Sequence, residues 1–249
     1  KARQRFPDEA ALVKFWGEAL GQSADEVRKL LPDPARFRNA VRAKLMKKGG
    51  VGYTQPDRTT FPPIRDVIRM ALDCEAIPCA TWLDGTTAGE ADANRFLDDC
   101  LALGCLALNI IPDRNWNLAK AAEKTLKTAK LAEIVAAARK RDLILSVGTE
   151  MNNYGQKFVD TFGAPELQPF AADFRAGAYM LYGHTALQRA TRLGRTSAWA
   201  EVSFGDDRRA ANAFYLAAGE KAFPPESVKR KLAGLDTCAS PEAVLRCLG

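Results

Sequence analysis

Three short apolar runs, each reached through a segment of helical periodicity and each closing on polar residues, constrain this chain more than any other feature. "AIPCATWLDG" ends at Asp84 and Gly85, "GCLALNIIPDRN" ends in Pro112, Asp113, Arg114 and Asn115, and "DLILSVGTEMN" ends in Glu150, Met151 and Asn152. Ile64 to Glu75 places Ile64, Val67, Ile68, Ala71 and Leu72 on one side of a helix. "TAGE", Thr87 to Glu90, has capping-box spacing ahead of a helix running to about Leu103. Leu118 to Lys140 offers Leu126, Leu131, Ile134, Val135 and Ala138 as a buried stripe. Near-continuous apolar strands separated by helices imply parallel strands covered on both faces, joined by right-handed crossovers. The three polar strand ends then share the carboxyl edge of the sheet, where α/β folds place their chemistry.

The expected fold is therefore α/β: a parallel β/α barrel-like core, a partial or distorted TIM-type barrel, with helical N- and C-terminal additions. Residues 1–63 form a helical entry module and basic loop, 64–205 the barrel-like core, and 206–249 C-terminal helices packed on it. In the entry module, helices from Asp8 to Lys48 are broken by Pro7, by "GQS" and by "LPDP", and "SADE" (Ser23 to Glu26) is a second capping box. Closure of a barrel needs more than three strands, and Val51 to Tyr53 and "TSAWAEVSFG" (Thr196 to Gly205) are the candidates. "DTCASPEAVLRCLG" has Ser240 as a cap with Pro241 at the first helical position.

A chain of 249 residues, 47% hydrophobic and 27% charged, can bury a substantial core. No apolar run approaches the ~20 residues of a membrane-spanning helix, and the N-terminus lacks signal-peptide character, so a cytoplasmic location without membrane contact is expected. The six cysteines contain no C-x-x-C pair and read as reduced core thiols. A net charge of +6 favours phosphorylated or acidic small ligands, but acidic and basic residues alternate along most of the chain, which makes nucleic acid an unlikely partner. No nucleophile elbow, H-E-x-x-H, Walker loop or dinucleotide fingerprint occurs.

Among residues suited to chemistry, Asp84, Asp113 and Glu150 arrive from three strands, and converging carboxylates bind a divalent cation or serve as general acid and base. The competing reading is that Asp and Asn after strands cap helices and tolerate turns. His184, in "LYGHT", is the only histidine and so the candidate for any imidazole catalysis beside Glu150 and Asp84; its neighbours suggest a turn preceding a helix, where a lone histidine also serves as a turn or capping residue. Lys47, Lys48 and Arg58 surround the glycines of "KKGGVGYTQPDRTTFP", where backbone donors and cations suit a phosphate. Trp82, Trp116 and Tyr154 lie near the expected mouth of the core.

"ILSVGTEMN" resembles the late strand of the PHP superfamily (polymerase and histidinol phosphatase), in which an apolar strand ends in Gly, Ser or Thr, an acidic residue and, two positions on, a histidine. The two earlier strands look like members of the same distorted barrel, so the resemblance covers approximately Pro62 to Gly163. It implies a metal-dependent phosphoesterase-like hydrolase with a divalent metal held by histidines and carboxylates. Glu150 would take the acidic position as metal ligand or general base. Asp84 and Asn152 would orient ligand or water, Asp113 and Arg114 would contact ligand, and Lys47, Lys48 and Arg58 would neutralise phosphate. The family's early H-x-H pair is absent, and Asn152 stands in the histidine position. Two readings follow: a start of the barrel upstream of Lys1, or a catalytically silent relative that binds a phosphorylated or acidic small molecule or a protein partner.

Overall fold

The structure is a computed structural model, which describes residues 1–151, 156–236 and 238–249. The chain divides into two compact units, Lys1–Pro62 with Met151 and Gln156, and Pro63–Glu150 with Lys157–Gly249.

The first unit contains α1 (Ala2–Arg5), α2 (Glu9–Leu20), α3 (Ala24–Leu30) and α4 (Pro34–Val41), followed by a π-helical turn at Arg42–Met46. The breakers act as expected. Asp8 caps α2 by accepting from the Ala11 N–H at 2.8 Å, and α2 stops at Gly21, which takes a left-handed φ of 66°. The Ser23–Glu26 capping box closes in both directions, at 3.3 and 2.8 Å. Asp33 caps α4 with Pro34 in its first turn. Leu12, Val13, Leu20 and Val27 are buried between these helices.

The second unit opens with α5 (Ile64–Asp73), then alternates β1 (Cys79–Trp82), α6 (Ala93–Ala102), β2 (Ala107–Ile110), the short α7 (Asp113–Trp116), α8 (Ala121–Arg139) and β3 (Ile144–Val147). The strands are parallel in the order β1-β2-β3, with Trp82, Ile110 and Val147 level across the sheet. Leu97 of α6 and Leu131, Ile134, Val135 and Ala138 of α8 are buried with Leu108, Ile110 and Leu145 in one core. Leu126 is exposed instead, and of the apolar side expected for α5 only Ile68 is buried.

After β3 the chain is helical: α9 (Ala171–Thr191), α10 (Ala198–Phe204), α11 (Arg208–Lys221), α12 (Pro225–Lys231) and α13 (Pro241–Leu248). A second core forms around Leu187, Phe214, Tyr215, Val228 and Leu248. α9 joins the two cores through glycines that permit close backbone approach. A Cβ at Gly177 would lie 1.7 Å from the Leu145 carbonyl oxygen, and one at Gly183 would lie 2.2 Å from that of Tyr215.

The barrel expectation is corrected by this architecture. The protein is mostly helical, and among the described residues its three strands form an open sheet. Neighbouring strands rotate by only about 20–25°, so three strands of this length cannot curl into closure. Thr196 to Gly205 is not a strand, because Ser197 caps it as helix α10 by accepting from the Ala200 N–H at 3.2 Å. Val51 to Tyr53 lies in a turn. The cysteines also depart from expectation: only Cys105 is buried, while Cys74, Cys79, Cys238 and Cys247 are exposed. No helix among the described residues is long and apolar enough to cross a membrane.

Candidate functional site

The level register of the strands fixes what meets at their carboxyl ends. Asp84 lies two residues past Trp82, Arg114 four past Ile110, and Glu150 three past Val147. Their side chains form a continuous ionic chain. The Arg114 guanidinium reaches Glu150 Oε2 at 3.1 Å and Asp84 Oδ2 at 3.7 Å, and Lys127 Nζ approaches the same Asp84 oxygen at 3.1 Å. Lys127 also contacts Glu123, one turn earlier on α8, at 2.9 Å.

Asp84 is buried, and its other oxygen accepts from the Thr86 hydroxyl at 2.5 Å and the Thr86 N–H at 3.1 Å. Burial acts to raise its pKa, but the two Thr86 donors and Lys127 outweigh it and hold the carboxyl below the usual range. Lys127 is shifted upward by its bond to Glu123, against the effect of burial, with Asp84 adding to the rise. Both groups are therefore charged at neutral pH.

The loop after β1 is held by Glu90. The "TAGE" box does not cap α6, whose cap is Asp92, accepting from the Arg95 N–H at 3.0 Å. Glu90 turns back and accepts from the N–H groups of Leu83, Asp84 and Gly85 at 2.8, 3.4 and 3.3 Å. Asn115 is fully buried and ties the β2 end to the β1 end, donating to the carbonyls of Leu83 and Ile111, both at 3.1 Å.

Beside this chain lies a second acidic group. Asp113 accepts from the Trp116 indole at 3.0 Å, and its own N–H donates to Asp160 Oδ2 at 3.0 Å. Burial and the Asp113 charge push the Asp160 carboxyl up, against the Asp113 N–H, the Thr149 hydroxyl and Lys157. Trp116 is not core. Lys124 and Lys157 stand over its ring at 5.4 and 5.9 Å, Lys124 also pairing with Glu166. Trp82 is buried in the core, and Tyr154 and Asn152 lie outside the described residues.

His184 is not part of this edge. It sits inside α9 rather than in a turn, one helical turn before Gln188, which bonds to Glu75 ahead of β1 and hence toward the amino side of the sheet. Its Nδ1 accepts from the Arg195 N–H at 2.8 Å, and burial, with the Arg195 charge, lowers its pKa to about 4. It is a neutral structural histidine. Lys47, Lys48 and Arg58 belong to the first unit, where Asp57 turns away from Arg58 and accepts from Thr59 and Thr60.

Comparison with protein-family models, curated proteins and solved structures returns no match. The donor set was therefore tested on its own geometry for the divalent metal that the PHP resemblance implies. It does not fit. Asp84 Oδ1 is engaged by Thr86, Asp84 Oδ2 faces two cations, and Glu150 faces one of them, so a dication would have to displace both Arg114 and Lys127. Among the described residues no group of three or more His, Cys, Asp or Glu side chains could hold a metal ion.

Lys127 and Asp160 were not singled out by sequence reasoning, and Glu90 was read only as a helix cap. Lys127 carried one signal, its i,i+4 spacing from Glu123 on α8.

Proposed function

We propose that the carboxyl edge of the three-stranded sheet binds a small phosphorylated or acidic molecule, with Arg114 as its anchor, in a protein that works without a metal centre there. The observation that carries this reading is the chain Lys127–Asp84–Arg114–Glu150. Arg114 and Lys127 give Asp84 and Glu150 the cationic partners that a divalent ion would otherwise supply, with Lys127 shared between Asp84 and Glu123.

Within the chain, Asp84 is the fixed member and Glu150 the exchangeable one. Asp84 is buried and bonded by Thr86 and Lys127, whereas the Arg114–Glu150 pair has side chains 36% and 30% exposed. An incoming phosphate or carboxylate takes the place of Glu150 on the guanidinium, whose planar fork matches such groups. Lys124 and Lys157 over Trp116 add cations beside an apolar ring. A cytoplasmic location belongs to this reading, and the six free thiols, which suit a reducing compartment, support it.

Calorimetric titration with inorganic phosphate tests the reading. Arg114→Ala is expected to abolish binding while leaving the far-ultraviolet spectrum unchanged; retention of wild-type affinity would exclude Arg114 as the anchor. A hydrolase reading has one observation in its favour, that Asp84 and Glu150 from separate strands share a single cationic centre. Turnover of p-nitrophenyl phosphate that requires an added divalent ion and disappears in Glu150→Gln would replace the binding reading with that one.

A further inference from the structure

The first unit holds a hollow of about 1030 Å³, the size of a large ligand pocket, between α2, α4, the π-turn and the loop that follows. Its apolar surface is aromatic: Trp16, Phe37 and Tyr53 line it, with Trp16 and Phe37 edge to face at 4.8 Å. Phe15 and Phe6 continue the ring series behind Trp16 at 5.0 and 4.8 Å, which fixes the indole in place. The rim is Arg38, Arg42, Lys47 and Lys48, and no carboxylate lines the hollow. None of these four cations forms an ion pair with a described residue. The mixed charge of the chain as a whole conceals this local segregation.

The loop geometry accounts for its glycines. The Gly52 N–H donates to the Leu45 carbonyl at 2.7 Å and the Gly50 N–H to that of Lys47 at 2.8 Å, folding the loop back on the π-turn. A Cβ at Gly50 would lie 2.5 Å from the Leu45 carbonyl, so only glycine permits this approach. The return brings Tyr53 to the hollow opposite the helices. The π-turn spans Arg42 to Met46, and such widened turns recur at functional sites.

We propose that this hollow binds a nucleotide, its base against Trp16, Phe37 and Tyr53 and its phosphate on Arg42, Lys47 and Lys48. Flat rings with unpaired cations at their rim match a base joined to a phosphate, the combination that single-stranded nucleic-acid sites use. The nucleotide is either free or part of a single strand, and two probes separate these sources.

The test uses the full chain at about 50 mM salt, with adenosine 5′-monophosphate in equilibrium dialysis and a labelled single-stranded oligodeoxyadenylate of about 12 nucleotides in fluorescence anisotropy. Binding of either probe is expected, with the oligonucleotide much tighter if the natural ligand is a strand. The double variant Lys47→Ala/Lys48→Ala should weaken binding about tenfold or more and reduce the oligonucleotide's salt slope by about 1.4. Tyr53→Leu should weaken both probes at least fivefold with the slope unchanged, since stacking of one base is worth about 1–3 kcal/mol. Tyr53 sits in a loop, so this variant keeps the test valid even if a Trp16 substitution unfolds the helices. Absence of binding, equal affinity for inorganic phosphate and the mononucleotide, or insensitivity to Tyr53→Leu would overturn the proposal. Mononucleotide binding that survives the lysine substitutions and is lost in Arg114→Ala belongs to the sheet edge, and overturns it while sparing the reading given above.

Discussion

Replacing Gly177 by alanine measures how closely α9 is held against the sheet that carries the rim residues. The added Cβ would lie 1.7 Å from the Leu145 carbonyl oxygen and 2.7 Å from its carbon, whereas real Cβ atoms essentially never come within 3.0 Å of a neighbour. Helix and strand must therefore separate by roughly 1.3 Å, or β3 must twist, because the clash is backbone against backbone and no rotamer relieves it. Overpacking of a core costs about 1–3 kcal/mol, and this case sits at or above the upper end. Alanine's better helix propensity returns about 1 kcal/mol, leaving a net loss of about 2–3 kcal/mol. For a chain of this length that corresponds to a fall in Tm of about 5–10 °C, read by circular dichroism during heating. Gly163→Ala, where a Cβ meets nothing within 4 Å, is the control and should leave Tm unchanged. A Gly177→Ala protein as stable as the wild type would refute the close packing of α9 on β3.

Two further outcomes follow from the same contacts. Asp84→Asn removes the charge that holds Lys127 and Arg114 together and should lower stability by about 2–3 kcal/mol, somewhat less than a fully buried pair because Arg114 is partly exposed; an unmoved urea midpoint would contradict the network. His184 is neutral in the native state, with a pKa near 4 against 6.5 in the unfolded chain, so the unfolded state binds the extra proton between those values. Stability is expected to be whole above pH 6.5 and to decline as pH falls toward 4, and His184→Asn should flatten that part of the Tm profile; an equal slope in the variant would count against the burial of this imidazole.

The strands and the shared edge were legible because buried parallel strands leave continuous apolar runs, and the residues that end those runs emerge together. Asp84, Arg114 and Glu150 could be read for that reason. The missing barrel closure could not: the aromatic and β-branched residues of Thr196 to Gly205 suit a strand locally, and the Ser197 cap that makes them helical is a weaker signal. Gly183 beside His184 resembled a turn, but its small size serves the close crossing with Tyr215 rather than a left-handed backbone. Lys127 joins Asp84 across a crossover helix, a contact that no local spacing encodes. Glu90 matched a capping box yet bonds backwards to the β1 loop, because the three N–H groups beyond the strand outcompete a helix that begins three residues later.

The affinity of Glu150→Gln for inorganic phosphate tests the central claim most directly, because the expected change runs opposite to that of an ordinary loss-of-site variant. Removing the carboxylate releases an ion pair worth about 0.2–1 kcal/mol from Arg114, so phosphate should bind about 1.4- to fivefold more tightly than to the wild type. Unchanged or weaker binding would contradict the assignment of Glu150 as the internal anion that the ligand replaces.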